Sequence, residues 1–223
     1  MFVGHLGVGL ALKSREPKLS LAALFTGVLL LDLLLGAFVL IGLEQVHAPQ
    51  NYAELHYLAF SFPYSHSLLG SVVWSALAAA VTYVLWAGEP RVRRAASLTM
   101  GAAVFSHWIC DWIEHPAGMP LASPQSYKLG LGLWNHLGLA LGLEVALVAL
   151  GLAVYLRAAS GIGRTGRWGI VALMVLLTTF AVAGQATSTE APNPTAAAAM
   201  WVLQACVLAG IAAWLDRTRR DAS

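Results

Sequence analysis

The chain has 223 residues, 58% of them hydrophobic and only 11% charged, with a formal net charge of +2 and a mean hydropathy of +0.70. Soluble domains carry roughly 25% charged residues, so so few charges cannot coat a water-exposed surface, and an ordinary soluble domain is excluded. Two cysteines, Cys110 and Cys206, lie far from any Cys-x-x-Cys pair and read as buried free thiols.

Seven apolar segments follow one another: residues 2–12, 19–43, 63–86, 95–114, 129–156, 168–184 and 195–214. All but the first approach the ~20 residues that cross a bilayer as a helix. The first would rise only ~16 Å, so a short or re-entrant helix embedded among the others is expected. The connecting segments are short, and the longest, 45–62, is rich in His, Tyr and Asn. The expected fold is all-α: one integral membrane domain over residues 1–223, with about six full spans plus a short N-terminal helix. A basic n-region and a small-residue cleavage site are lacking, so no cleavable signal peptide is expected.

Lysine and arginine give the orientation. Lys13, Arg15, Lys18, Arg91, Arg93, Arg94, Arg157, Arg164, Arg167, Arg217, Arg219 and Arg220 fall in alternate connections and the tail, and Lys128 alone falls in the others. This pattern places the C-terminus in the cytoplasm and the N-terminus outside, in a multi-pass protein of the plasma (inner) membrane. The bilayer is then its first partner, and no nucleic-acid partner is expected.

Ionisable residues inside such segments are costly, by ~2.5–3.5 kcal/mol for an acid at a helix centre. Asp32 is flanked by leucines on both sides and needs a cation, a hydrogen-bond network or a metal. In the fourth segment His107, Asp111 and His115 recur at four-residue spacing. One helix face therefore carries imidazole, carboxylate and imidazole, and ligands one turn apart chelate a divalent ion as in His-Glu-x-x-His helices. His66 starts the third segment and His5 lies in the first. By the lysine and arginine topology, His5, Asp32, His66, His107 and Asp111 meet at one depth in the outer half of the bilayer. Imidazole with carboxylate suits Zn²⁺, with Mn²⁺ or Fe as alternatives, as one or two ions. A bound ion acidifies a water and polarises an ester oxygen, so the expected activity is hydrolysis of a lipid or small-molecule substrate. His115, His136 and Glu144 are candidates for proton transfer or ligand orientation. His136 and Glu144, eight apart, are expected on one helix face. Glu44 reads as a solvated helix end, and a serine nucleophile at Ser65 or Ser67 lacks a supporting triad.

The order of these elements carries a resemblance. The opening Met1-Phe2-Val3-Gly4-His5, the leucine-flanked Asp32, Tyr64-Ser65-His66-Ser67 and Ser106-His107-x-x-x-Asp111 look like the YdjM-like family of LexA-binding, inner-membrane-associated metal-dependent hydrolases. The ligand order is similar to that of the zinc-dependent phospholipase C and P1 nuclease group. The resemblance implies His5, Asp32, His66, His107 and Asp111 as ligands, Asp111 as the bridge between ions, and a phosphoester or other lipid-accessible ester as substrate. Many relatives carry Pro-Asp-x-Asp where Asp32 here stands alone. Two other classes fit intramembrane His and Asp: a proton- or metal-coupled transporter, and a non-catalytic module whose polar cluster ties helices together. The nearly pure Leu, Ala and Val of the inner helix halves disfavours a through-path.

Overall fold

The computed structural model describes residues 1–158 and 163–217, so Arg219 and Arg220 of the basic tail lie outside the described residues, as does the side chain of Arg217. The described residues are all-α apart from two small hairpins. Its helices are α1 (Val3–Arg15), α2 (Leu21–Val28), α3 (Leu30–Leu40), α4 (Tyr52–Leu55), α5 (Leu68–Leu85), α6 (Pro90–Glu114), α7 (Leu137–Ala158), α8 (Arg164–Thr187) and α9 (Pro194–Arg217). Strands β1 (Gln45–His47) and β2 (Ala59–Ser61) pair antiparallel, as do β3 (Met119–Pro120) and β4 (Lys128–Leu129).

Among the described residues four helices, α5, α7, α8 and α9, are long and apolar enough to cross a membrane, and α2 with α3 makes a fifth if the bent pair is one span. Only 11% of the most apolar stretch of α5, and 11% of that of α8, is buried inside the protein. Their large apolar side chains, such as Val73, Leu77, Val81, Val175 and Phe180, point outward. That is the reverse of a water-soluble surface and matches contact with lipid. The outward face includes Cys206, which is exposed rather than buried as expected; Cys110 is buried. The count of six full spans is not reached on apolarity, because α6 is lowered by its serines, His107 and Asp111.

The short α1 sits in the middle of the bundle. Val3, Leu6 and Leu10 are fully buried, and its main partner is α7, with α2, α6 and α8 around it. Glycine permits this. A Cβ on Gly151 of α7 would strike the Gly7 carbonyl, and one on Gly7 would strike the Leu147 carbonyl. Backbone thus meets backbone, the close approach that small residues allow between membrane helices. At the other end of α1, Lys13 is buried with Asp216 of α9 at 3.3 Å, and Asp216 also accepts the Leu21 N–H at 3.0 Å. This pair locks α1, α2 and α9 together at the end away from the histidines.

The second segment is not one helix. It breaks at Leu29 and bends by 55° between α2 and α3. No proline is present. The Val28 carbonyl, which would bond the Asp32 N–H in a continuous helix, accepts the His107 Nδ1–H at 2.6 Å. A side chain inserted into the ladder is a recognised cause of such a kink. The fifth segment also starts later than expected. Gly130 (φ +145°) and Gly132 (φ +76°) take conformations that side chains rarely adopt, and a Cβ on Gly130 would meet the His115 and Pro116 carbonyls. The chain runs there as β4 and a 3-10 turn (Leu133–Asn135) before α7 begins at Leu137. His136 therefore precedes the helix, with φ −127° and ψ 72°, and does not share a helix face with Glu144.

Candidate metal centre

Four elements bring donor atoms together. The last two turns of α6 supply His107 and Asp111, the first turn of α3 supplies Asp32, the turn before α5 supplies His66, and α1 supplies His5. All are buried except Asp32, whose side chain is 18% exposed. His66 Nε2 lies 3.2 Å from His107 Nε2, 3.4 Å from Asp111 Oδ2 and 3.7 Å from Asp32 Oδ1. His107 Nε2 lies 3.1 Å from Asp111 Oδ2 and 3.6 Å from Asp32 Oδ1. His66, His107 and Asp111 thus present donor atoms 3.1–3.4 Å apart, and Asp32 Oδ1 stands 3.6–3.7 Å from both imidazoles. Two donors bound to one ion at the Zn–N or Zn–O length of about 2.1 Å stand about 3.4 Å apart at tetrahedral angles, so these spacings suit a shared ion.

The imidazoles are set for this. The Val28 carbonyl can only accept, so His107 carries its proton on Nδ1 and turns the Nε2 lone pair inward. Glu44 accepts N–H bonds from Tyr64 and Ser65 through Oε1, at 2.7 and 2.8 Å, and the Ser65 hydroxyl through Oε2 at 2.6 Å. A carboxylate accepts only, so the Ser65 proton points at Glu44 and its lone pair takes the His66 Nδ1–H at 2.7 Å. Two imidazole lone pairs and two carboxylates then face one another, an arrangement that a cation stabilises.

Asp111 turns its other oxygen elsewhere. Oδ1 is 3.2 Å from His5 Nε2 and 3.3 Å from the Met1 amino group, which also lies 3.1 Å from Glu114 Oε2. The His5 ring stacks on His107 at 3.8 Å and 11°. Donor atoms of His5, Asp32 and His107 form a second group within 4.8 Å of one another. Asp111 thus turns Oδ2 toward His66 and His107 and Oδ1 toward His5 and the Met1 amino group.

The remaining sequence candidates separate. His115 lies at the edge, its Nε2 3.8 Å from Asp111 Oδ2, beneath Trp134 at 4.0 Å between ring centres. Burial pushes its imidazole down to about 3, so it is neutral. Glu144 is buried and accepts the N–H groups of Phe2 and Gly4 at 3.0 Å each. It thereby satisfies unpaired donors at the N-terminus of α1. His136 is exposed and does not line the cavity described next. Glu44 is 2% exposed, not a solvated helix end. Ser65 is fully buried with its proton committed to Glu44, which removes it as a nucleophile. The roles of Glu44, Ser65 and the Val28 carbonyl carry no sequence signal, because they depend on loops folding back onto helix ends.

A cavity of about 180 Å³ opens beside the cluster. Asp32, His66, Asp111 and His115 form its polar wall, and Phe60, Phe62 and Trp201 its apolar wall. Trp134 and Gln185 are shared with a wider outer cavity of about 340 Å³ between residues 52–58 and the connection from α8 to α9. The Trp134 Nε1–H donates to Glu114 at 2.8 Å, which holds the indole over His115. Among the described residues no lysine or arginine lines either cavity. The chain matches no family model, no curated protein and no solved structure.

Proposed function

We propose that this protein is a membrane-embedded, metal-dependent hydrolase acting on a phosphoester or another lipid-accessible ester. The convergence of His66, His107 and Asp111 donor atoms at 3.1–3.4 Å, with Asp32 beside both imidazoles and both imidazole protons directed away, carries the reading. Zn²⁺ fits the donor set best, with Mn²⁺ or Fe as alternatives, and Asp111 is suited to bridge a second ion near His5. The reading extends the resemblance to the YdjM-like and zinc phospholipase groups, which is drawn from this same ligand order. When bound, the ion supplies Lewis-acid polarisation and acidifies water. His115, neutral and lining the cavity, is placed to accept a hydrogen bond from the attacking water and aim it; a base held this weak does not carry the proton away. Glu144 holds α1, and hence His5, in position.

In this reading α6 is a sixth span of the plasma (inner) membrane, packed against α5, α2 and α1 on one side with Leu98 and Ile109 turned outward. The N-terminus lies outside, the C-terminus in the cytoplasm, and the cavities open outward. The support is that, among the described residues, Lys128 is the one lysine or arginine in the connections on the side of His66 and His115, while Arg91, Arg93, Arg94 and Arg157 lie at the other helix ends. Single cysteines in a Cys110→Ala/Cys206→Ala background test this in intact cells. A cysteine at Ser123 should react with a membrane-impermeant maleimide, and one at Glu89 should not; the opposite pattern inverts the topology.

The deciding experiment for the function is elemental analysis of protein purified without chelators, followed by assay on p-nitrophenyl esters. Bound zinc, manganese or iron is expected, with ester turnover that His115→Ala, by releasing the oriented water, lowers by ~10²-fold. Protein free of transition metal that turns over no ester sinks the proposal.

A further inference from the structure

We infer that Ser65 and Glu44 are positioning residues: they fix the tautomer and aim of His66, and thereby set the affinity of the centre for a divalent ion. This rests on the metal reading above. The sequence between Glu44 and Ser65 is a 20-residue excursion through β1, α4 and β2, and it closes by returning Ser65 to Glu44. The closure is buried: Glu44 is 2% exposed, Ser65 fully buried and His66 1% exposed. A buried carboxylate is expensive unless its oxygens are bonded, and here both are, by Tyr64 N–H, Ser65 N–H and the Ser65 hydroxyl.

The charge has a purpose beyond holding the turn. A neutral amide would satisfy two N–H donors, but it could also present its own NH₂ to the serine. A carboxylate can only accept, so the serine proton has one direction and the hydroxyl lone pair is left for His66 Nδ1–H. The imidazole then has no choice but to present Nε2 to Asp32, Asp111 and His107. Its backbone is held as well: the His66 N–H bonds Phe62 O at 3.1 Å, and its carbonyl accepts the Trp108 indole N–H at 3.1 Å. The two inward-facing imidazoles are therefore oriented by different devices. His107 uses a carbonyl freed by the helix break, and His66 uses a hydroxyl polarised by a carboxylate. Such outer partners change metal affinity by roughly 10–100-fold.

The test uses the full chain in detergent, with Zn²⁺ affinity measured by competition with a chromophoric chelator. Ser65→Ala removes the hydroxyl and leaves both backbone bonds to Glu44, so the metal-free protein should melt near the unaltered one. Its Zn²⁺ Kd should rise roughly 10–100-fold. Ser65→Thr, which keeps the hydroxyl, should return the Kd to within about threefold, a rescue that a merely structural role does not predict. Glu44→Gln, similar in volume, should weaken binding like Ser65→Ala and provides the measurement should the alanine variant fail to fold. The visible spectrum of the Co²⁺-loaded protein should lose tetrahedral intensity in both. Unchanged Kd in Ser65→Ala and Glu44→Gln, while His66→Ala no longer binds, would overturn the positioning role and leave the metal reading standing. No Zn²⁺ binding by the unaltered protein would overturn both.

Discussion

Asp111→Ala should strip the protein of metal. Oδ2 faces His66 and His107 at 3.4 and 3.1 Å, and Oδ1 faces His5 at 3.2 Å, so one substitution removes the carboxylate that three histidines face. Loss of an outer partner alone costs roughly 10–100-fold in metal affinity, and loss of a shared ligand should exceed this. His107→Ala should act similarly, with a further consequence: the Val28 carbonyl loses its partner in the helix break. Metal content after purification and competition Kd values check both. Metal content equal to that of the unaltered protein in both variants would remove these residues from the ligand set. Because ligands must be deprotonated to bind, acid should release the ion. Retention should fall as pH drops through the imidazole range, about 7 to 5, and Asp111→Ala should have nothing left to release.

Gly151→Val should unfold the middle of the bundle. The added carbons have nowhere to go, because the obstacle is the Gly7 carbonyl of α1, which is main chain rather than a side chain that can turn aside. Overpacking of a tight interior costs ~1–3 kcal/mol when side chains can give; a backbone obstacle puts the expected loss at about 3 kcal/mol or more. The effect should also reach the metal centre. Pushing α1 off α7 pulls Phe2 and Gly4 from Glu144 and withdraws His5 from Asp111. Thermal unfolding in detergent should show a markedly lower Tm, and metal content should fall with it. Gly138→Val, on the same helix with open space around its Cβ, is the control and should be nearly neutral. Equal Tm for the two valine variants would show that α1 is not held by this contact.

Much of the centre was legible in the sequence. His107, Asp111 and His115 are legible because helix periodicity is local: residues four apart share a face whatever surrounds them. Asp32 is legible because an acid among leucines has no stable solution without a partner. The helical spans are legible because they follow from apolar length. Errors arose where a remote group decided the local backbone. The break at Leu29 depends on His107 taking a carbonyl 79 positions away. The late start of α7 depends on Gly130 passing against the His115 and Pro116 carbonyls. From that follows the misplacing of His136, which helix periodicity assigned to the face of Glu144. Glu44 looked like an ordinary helix end because its partner, Ser65, returns only after a 20-residue excursion.

By itself, then, the sequence determined the class and the inventory: an all-α membrane protein with several spans, and histidines and acids too costly to be idle there. Both depend on composition and short-range periodicity, which hydrocarbon and helix geometry translate directly. Tertiary structure alone decided which nitrogen of His66 and His107 faces inward, which acids face the cluster and which cap a helix, and how far donors stand apart. Those depend on hydrogen-bond partners contributed by distant segments, and their direction exists only once α1, the broken second helix and the two hairpins have closed around α6.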